Sequence, residues 1–240
     1  MIPAFYGYGY GFYFDPTYIL VLIGAIICML ASAKVQTTYK KYASYRSMSG
    51  MTGAQAAERI LHSQGIYGVS IERVSGNLTD HYDPRSKTLR LSDTVYGSTS
   101  IAAIGVAAHE CGHAVQDEVG YAPLKIRGAL VPVANFGSAL SWPLILIGVL
   151  LSWNTLLIQF GIILFCAAVA FQLITLPVEL NASNRAIALL SQNGILYGDE
   201  VGQTRKVLNA AALTYIASAA AMILQLLRLL ILFGGRRNDD

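Results

Sequence analysis

The sequence predicts a mainly α-helical integral membrane protein, with about four transmembrane helices and an α+β domain that carries a small antiparallel sheet. Hydrophobic residues make up 54% of the 240 residues and charged residues only 13%, against about 25% charged in an ordinary globular chain. Residues 128–178 contain no Lys, Arg, Asp or Glu, which is long enough for two crossings of a ~30 Å hydrocarbon core. Most of the polar chemistry lies in residues 36–127, which we therefore place outside the bilayer.

The charge balance excludes nucleic acid as a partner. Lys and Arg number 17 against 14 acidic residues, a formal net charge of +3, and no basic run is interleaved with aromatic residues. The basic residues serve instead as markers of topology, because Lys and Arg accumulate in short loops on the cytoplasmic side of a membrane.

The first segment, residues 1–35, combines an aromatic stretch with the first span. Aromatic and glycine residues at positions 5–14 predict an aromatic belt at the membrane surface, and residues 18–35 predict a transmembrane helix. No Lys or Arg precedes this helix, so we expect a retained anchor and not a cleaved signal peptide. Basic residues close to its C-terminal end assign that end to the cytoplasm: Lys34, Lys40, Lys41 and Arg46.

Residues 36–127 predict a cytoplasmic domain that begins and ends with helices. Thr52 and Gln55 form a capping-box pattern, which begins a helix that ends near Gly65. Residues 101–115 follow a Ser-Thr-Ser cap and lack the alternation of a strand, so they predict a mostly buried helix.

Two strands are predicted between these helices. Residues 69–72 begin in period-two alternation and residues 88–92 keep it throughout, with turn-forming residues at 83–86 just ahead of the second strand. A small antiparallel sheet is the prediction.

The uncharged segment, residues 128–178, predicts two spans joined by a tight hairpin. It divides around residues 152–154 into residues 130–151 and 156–176. Because the hairpin carries no charge, we place it outside the cell.

Residues 179–209 predict a second cytoplasmic segment, and residues 210–240 the last span and the C-terminal tail. Residues 179–192 continue as a short polar-faced helix, and Asp199 caps a further helix whose apolar part, residues 210–233, is the fourth span. The basic residues between spans three and four agree with the orientation of the first span and make both termini external: Arg185, Arg205 and Lys206.

Arg228 lies inside the fourth span. A long helix allows its apolar stem to extend along the surface toward the interface, so we expect this side chain to snorkel and not to pair within the bundle.

The clearest chemical signal is the H-E-x-x-H motif of His109, Glu110 and His113. Residues four apart on an α-helix share a face about 6 Å apart along the axis, so both imidazoles can reach one zinc ion. Glu110 lies next to that face, where a carboxylate can accept a proton from metal-bound water.

A catalytic zinc site needs a third protein ligand. The longer H-E-x-x-H-x-x-G-x-x-H pattern is absent, because Gln116 and Val119 occupy its glycine and histidine positions. Asp117 shares the face of His113, but three ligands at steps of four span about 12 Å, which is too far for one ion. His62 and His81 are interpreted as surface or hydrogen-bonded histidines.

Glu179 is the remaining strong candidate for the third ligand. It directly follows the long uncharged stretch, at the predicted cytoplasmic end of the third span. A carboxylate there is costly to keep ionised so near the bilayer, and a bound metal is one way to stabilise it. An ordinary interfacial carboxylate is the alternative.

At these residues the chain resembles the membrane-bound gluzincin peptidases of the heat-shock membrane protease and CAAX prenyl protease superfamily. It is most similar to the YugP-type neutral zinc metallopeptidases of bacteria, over nearly the whole chain. The matching segments are DHYDPR at residues 80–85, LRLS at 89–92, AHECGHAV at 108–115 and ELNASNRA at 179–186. The resemblance implies a zincin-like catalytic domain and peptidase activity.

The match departs from the superfamily at one position. Membrane gluzincins commonly carry an aspartate four residues beyond the ligand glutamate, and this chain has Ser183 there. The group that orients a metal-bound histidine is then built differently, with Asn181 or Asn184 as candidates.

An intramembrane metalloprotease is the nearest mechanistic rival. Such proteins place the motif inside a full transmembrane helix and supply an aspartate from another span. Here the apolar run before His109 covers only residues 101–108, and spans three and four contain no aspartate. We therefore expect cleavage at or just outside the bilayer surface.

The leading hypothesis is a zinc-dependent endopeptidase at the cytoplasmic face of a bacterial cell membrane. One Zn²⁺ per chain is held by His109, His113 and Glu179, Glu110 deprotonates the attacking water, and the strand around Leu89 offers its edge to an extended substrate. Polypeptides, in particular membrane proteins, are the expected substrates, and a membrane protein partner or a homo-oligomer is expected.

Two questions stay open from the sequence. A further donor to the tetrahedral oxyanion is expected, with His81, Tyr82 and Arg185 as candidates. The competing function is a non-catalytic membrane scaffold or chaperone-like binder with a structural metal; Glu110 favours the enzyme, because a structural site has no use for it.

Overall fold

A computed structural model describes residues 15–234, so the predicted aromatic belt at residues 5–14 and the last six residues lie outside the described part of the chain. In chain order the elements are α1 (Tyr18–Ala43), α2 (Gly53–Ser63), β1 (Ser70–Val74), β2 (His81–Asp83), β3 (Thr88–Ser92), α3 (Asp93–Tyr96), α4 (Ile101–Glu118), α5 (Ala122–Leu150), α6 (Thr155–Gln192) and α7 (Asp199–Phe233).

Four of these helices are long and apolar enough to cross a membrane: α1, α5, α6 and α7. Large apolar side chains such as Leu30, Leu150 and Ile163 are exposed along them. Lipid tails solvate such a surface, so the structure confirms the prediction of a membrane protein with four spanning helices.

Two of the spans extend well beyond the bilayer. α6 has 38 residues, about 57 Å, against a hydrocarbon core of about 30 Å. The polar-faced helix predicted after residue 178 is the continuation of this helix, with Pro177 in its interior. α7 begins at Asp199, with Gly198 and not Asp199 at the cap. Both helices therefore carry residues from the bilayer into the α+β domain.

The core of the α+β domain lies between α2, α4, the sheet and the projecting end of α6. α2 begins with the predicted capping box, in which Thr52 and Gln55 bond each other's backbone N–H groups. Fully buried aliphatic side chains fix α4 against its neighbours, at about 1.5–3 kcal/mol each. They include Ile60, Leu89, Leu91, Ile104 and Leu190.

The sheet is mixed, with the strand order β1-β3-β2. β1 and β3 are the two predicted strands, and they pair parallel, so the prediction of a purely antiparallel sheet is wrong there. The antiparallel partner of β3 is β2, a strand that the sequence pattern did not predict. The tight turn after β2 makes β2 the antiparallel neighbour of β3. The connection through residues 75–87 is long enough to place β1 parallel on the other side of β3.

α1 and α7 pack against each other with opposite directions. A Cβ atom on Gly24 would lie 3.2 Å from the Cα of Ala221, so the two backbones approach closely there. Near the end of α7, Nη2 of Arg228 lies 3.3 Å from Oδ2 of Asp15, and its guanidinium lies 4.1 Å from the ring centroid of Tyr18. The expected snorkelling of Arg228 is therefore wrong, because Asp15, just before α1, supplies an anionic partner.

Candidate metal centre and active site

α4 presents His109 and His113 one turn apart on the same buried face. The helix begins at a cap in which Oγ of Ser100 accepts from the N–H of Ala103 at 3.2 Å. The two imidazole rings meet edge to face with centroids 4.8 Å apart. The predicted helical spacing is thus confirmed in the structure.

α6 brings Glu179 to this face of α4. A Cβ atom on Gly112 would lie 2.5 Å from the carbonyl oxygen of Ala182, closer than any real Cβ contact. Only glycine permits this approach of the two helices. Gly112, between the two histidines, therefore sets the distance from α4 to the third candidate ligand.

His109, His113 and Glu179 form a group whose candidate ligand atoms all lie within 4.8 Å of one another. Oε2 of Glu179 is 3.2 Å from Nε2 of His109 and 3.5 Å from Nε2 of His113. Ligands about 2.0–2.1 Å from a tetrahedral zinc ion stand about 3.4 Å apart, so this donor set fits zinc in both chemistry and spacing.

Each histidine is oriented through its other ring nitrogen. Nδ1 of His113 lies 2.9 Å from Oε1 of Gln116, whose Nε2 donates to the carbonyl of Val178 and to Oδ1 of Asn181. Because Gln116 uses its amide N–H groups elsewhere, Oε1 accepts from His113, and Nε2 of His113 keeps a lone pair for a metal.

Ser183 orients His109 in the same way. Its Oγ lies 3.1 Å from Nδ1 of His109, at the position where membrane gluzincins commonly carry aspartate. Asn181 acts one step further out, through Gln116, whereas Asn184 is exposed. Ser183 therefore occupies the place that we assigned to an asparagine.

The other oxygen of Glu179 is held by Arg127 of α5. Nη1 of Arg127 lies 3.1 Å from Oε1 of Glu179, whose side chain is only 3% exposed. A buried carboxylate needs such a charged partner. The ion pair compensates the charge and leaves Oε2 facing the histidines.

The electrostatics of the site favour a cation. Burial lowers the pKa of His113, but its hydrogen bond to Glu179 and the nearby charges of Glu110 and Glu179 outweigh that effect and raise the pKa above its ordinary value. The same negative potential attracts a metal ion.

Glu110 is positioned by the edge of the sheet. Its Oε2 accepts from the backbone N–H of Tyr82 at 3.0 Å. Because this N–H points away from β3, the outward edge that faces α4 belongs to β2. The predicted edge around Leu89 is therefore wrong, since Leu89 on β3 is paired on both sides.

These groups line one cavity of about 490 Å³, bounded by β2, α4, α6, α7 and the start of α5. Glu110 and the three candidate ligands share its wall with Asp80 and Tyr215. Apolar residues of the membrane helix α5 form another side, Leu124 and Val131 among them. The cavity thus joins the polar domain to the bilayer edge.

Two of the three candidate oxyanion donors line the cavity. His81 and Tyr82 line the cavity, whereas Arg185 does not and instead bonds Oδ1 of Asn181 at 2.8 Å. The hydroxyl of Tyr82 donates to Oδ2 of Asp117 at 2.8 Å. Burial and this bond to Asp117 raise the pKa of Tyr82, so the phenol stays protonated.

Sequence reasoning missed Arg127 and Tyr215 as cavity residues and Gln116 as a bonding partner. A signal for Arg127 was present, because Arg127 and Glu179 are the charged residues that flank the uncharged stretch, and they lie equally far from Trp153 at the hairpin. Two spans that run back along each other bring such residues together. Tyr215 carries no comparable signal.

Comparison with known proteins identifies the family to which this chain belongs. Residues 17–234 match the family model described as "Putative neutral zinc metallopeptidase". The chain is 45% identical over 224 residues to "Putative membrane protease YugP" of Bacillus subtilis (strain 168), covering 93% of this chain and 99% of that protein. No solved structure matches. The chain therefore belongs to the neutral zinc metallopeptidase family, as the resemblance in the sequence indicates.

Proposed function

We propose that this protein is a zinc-dependent endopeptidase that cleaves polypeptides at the cytoplasmic face of the membrane. The observation that supports it most is that Glu110 lines the same cavity as His109, His113 and Glu179. Zinc held by those three residues would supply an acidified water and polarise the scissile carbonyl.

Glu110 is the proposed general base. The N–H of Tyr82 bonds Oε2 and fixes the carboxylate, so that it can take a proton from water and later deliver it to the leaving amine. Because the backbone N–H and C=O groups of Tyr82 point away from β3, the carbonyl can accept a hydrogen bond from an extended substrate strand that pairs with β2.

An oxyanion that forms in this cavity requires a further donor. His81 is a candidate in its imidazolium form, in which both ring nitrogens carry a proton: Nδ1–H donates to the carbonyl of Thr79 at 2.9 Å, and Nε2–H is left for the oxyanion. Tyr215 of α7, which lines the cavity beside Glu179, is a second candidate. We no longer favour Arg185, because it bonds Asn181 outside the cavity.

Membrane proteins are the proposed substrates. The apolar side of the cavity is formed by the start of α5, a helix able to span the bilayer, so a substrate segment that emerges from the membrane can approach Glu110 along this apolar side. The basic residues that follow α1 and precede the apolar part of α7 support the cytoplasmic side.

Casein hydrolysis by the purified full-length protein tests the proposal. Activity is expected in the parent protein, should be abolished by a zinc chelator and should return when zinc is added back. A protein that holds zinc but cleaves neither casein nor a membrane protein would instead be the metal-stabilised scaffold that the sequence left as the alternative.

A further inference from the structure

A groove between α1, α6 and α7 combines basic and apolar surfaces away from the metal centre. Its volume is about 720 Å³, and it shares no lining residue with the cavity of Glu110. The basic side chains are Lys34 and Lys41 of α1 and Lys206 of α7. The apolar wall is formed by Leu180, Leu213 and Ile216.

The residues that line the groove lie at different depths along the helices. α1 and α7 run in opposite directions, and Tyr39 packs with Val207, so Lys41 and Lys206 lie at a similar level. Leu213 and Ile216 lie about 10 to 15 Å further toward the bilayer along α7 than Lys206. The groove therefore begins at the level of Lys41 and Lys206 and continues into the apolar depth of the spans. Lys34 precedes Lys41 by seven residues, so its backbone lies about 10 Å deeper, near the level of Leu213, and its long side chain can extend back toward the rim formed by Lys41 and Lys206.

The charges of the three lysines have no anionic partner in the described part of the chain, and Nζ of Lys41 lies 5.4 Å from the ring centroid of Tyr42. Within residues 15–234, the three lysines form no ion pair, and no Asp or Glu is among the residues lining the groove. Cations gathered around one groove repel one another, and an anion between them removes that repulsion. Thr37, Thr38 and Asn209 add hydrogen-bonding groups to the same lining.

We propose that this groove binds an anionic phospholipid, with the phosphate among Lys34, Lys41 and Lys206 and an acyl chain along Leu213 and Ile216. A basic pocket between membrane helices recognises the phosphate headgroup by charge. The apolar wall selects a lipid over a free phosphate, because Leu213 and Ile216 are 44% and 45% exposed on the apolar part of α7 and can contact an acyl chain.

Native mass spectrometry of the purified full-length protein tests this assignment, with phosphatidylglycerol and phosphatidylcholine supplied at equal concentration. The parent protein should retain phosphatidylglycerol at least tenfold better. The triple variant Lys34→Gln, Lys41→Gln and Lys206→Gln should lose that preference. A control with the same change of charge at exposed residues outside the groove should keep it: Lys40→Gln, Arg59→Gln and Arg205→Gln.

Three outcomes overturn the proposal: equal retention of the two lipids by the parent, an unchanged preference in the triple variant, or an equal loss in the control. The Ile216→Trp variant leaves the charge of the protein unchanged and narrows the groove at its apolar wall. It should weaken phosphatidylglycerol binding at least threefold. If the triple variant does not fold, the Ile216→Trp variant tests the proposal by itself. Unchanged binding of phosphatidylglycerol by Ile216→Trp would then reject the proposed lipid site. Displacement of the lipid by soluble glycerol phosphate would also reject the proposal, because the headgroup alone would then be sufficient for binding and the acyl chain would contribute nothing.

Discussion

Arg127 donates from Nη1 to Oε1 of Glu179 at 3.1 Å, while Oε2 of the same carboxylate faces the two histidines of α4. One side chain of α5 thus fixes which oxygen of an α6 carboxylate is free to bind a metal. A guanidinium suits this task because its planar set of N–H donors matches the geometry of a carboxylate.

The Arg127→Gln variant should bind zinc about 10- to 100-fold more weakly, as is usual when a group that orients a ligand is lost. Glu179 then loses both its compensating charge and its orientation. Competition with a fluorescent chelator measures the affinity. Lys125→Gln is the matched control, because Lys125 lines the same cavity and forms no ion pair within residues 15–234. Equal affinities of the two variants would contradict this role of Arg127.

The Glu179→Gln variant should lose both zinc and activity, because a neutral amide is a poor ligand for zinc. Metal analysis of the purified protein by mass spectrometry is the measurement. Full zinc occupancy in this variant would remove Glu179 from the site. The Leu180→Gln change at the neighbouring position, whose side chain is exposed, should leave occupancy unchanged.

The Glu110→Gln variant should separate catalysis from metal binding. It should keep zinc and the fold, and it should cleave casein at least about 10²-fold more slowly, the lower bound for loss of a general base. Glu118→Gln, at the exposed end of the same helix, serves as the control. A Glu110→Gln protein with normal zinc content and more than about a tenth of the parent rate would defeat the proposed mechanism.

The Gly112→Ala variant should destabilise the protein and weaken zinc binding. The added Cβ would lie 2.5 Å from a backbone oxygen of α6, so the helices must separate, at a typical cost of about 1–3 kcal/mol. Thermal unfolding and zinc affinity are the measurements. Gly202→Ala on α7, where a Cβ meets nothing within 4 Å, should be tolerated. Unchanged zinc affinity in Gly112→Ala would contradict the close-packing role.

The Ser86→Cys variant tests the proposed topology. Ser86 is exposed in the turn between β2 and β3, so a cysteine there should resist membrane-impermeant thiol reagents in intact cells and react after lysis. The parent protein, which keeps its three native cysteines, gives the background. Labelling of this cysteine in intact cells would show that the turn between β2 and β3 faces outward, opposite to the proposed orientation.

The sequence predicts best what depends on neighbouring residues. The four spans follow from apolar runs, α2 from its capping box, and the pairing of His109 with His113 from the helical repeat. Glu179 is predicted as the third ligand because a carboxylate beside a long uncharged stretch is unusual. Each of these signals lies within one segment of the chain.

Contacts between distant segments were the main source of error. The parallel pairing of β1 depends on which side of β3 it joins, and alternation within a strand does not encode that choice. Arg228 was placed at the lipid interface because its partner Asp15 lies at the other end of the chain. Gln116 and Ser183 were missed as partners of the histidines because their role depends on how α4 packs on α6.

The extension of α6 beyond the bilayer makes the proposed catalytic unit inseparable from its anchor. A water-soluble fragment of residues 36–127 would keep both histidines, Glu110 and the sheet, yet it would lack Glu179 and Ser183. Within the chain, the two polypeptide segments that build the candidate metal centre are joined through α5 and α6, two helices that are able to span the membrane. An evolutionary route that detaches the proposed enzyme from the membrane must therefore replace Glu179 as the proposed third ligand and cannot simply trim the chain.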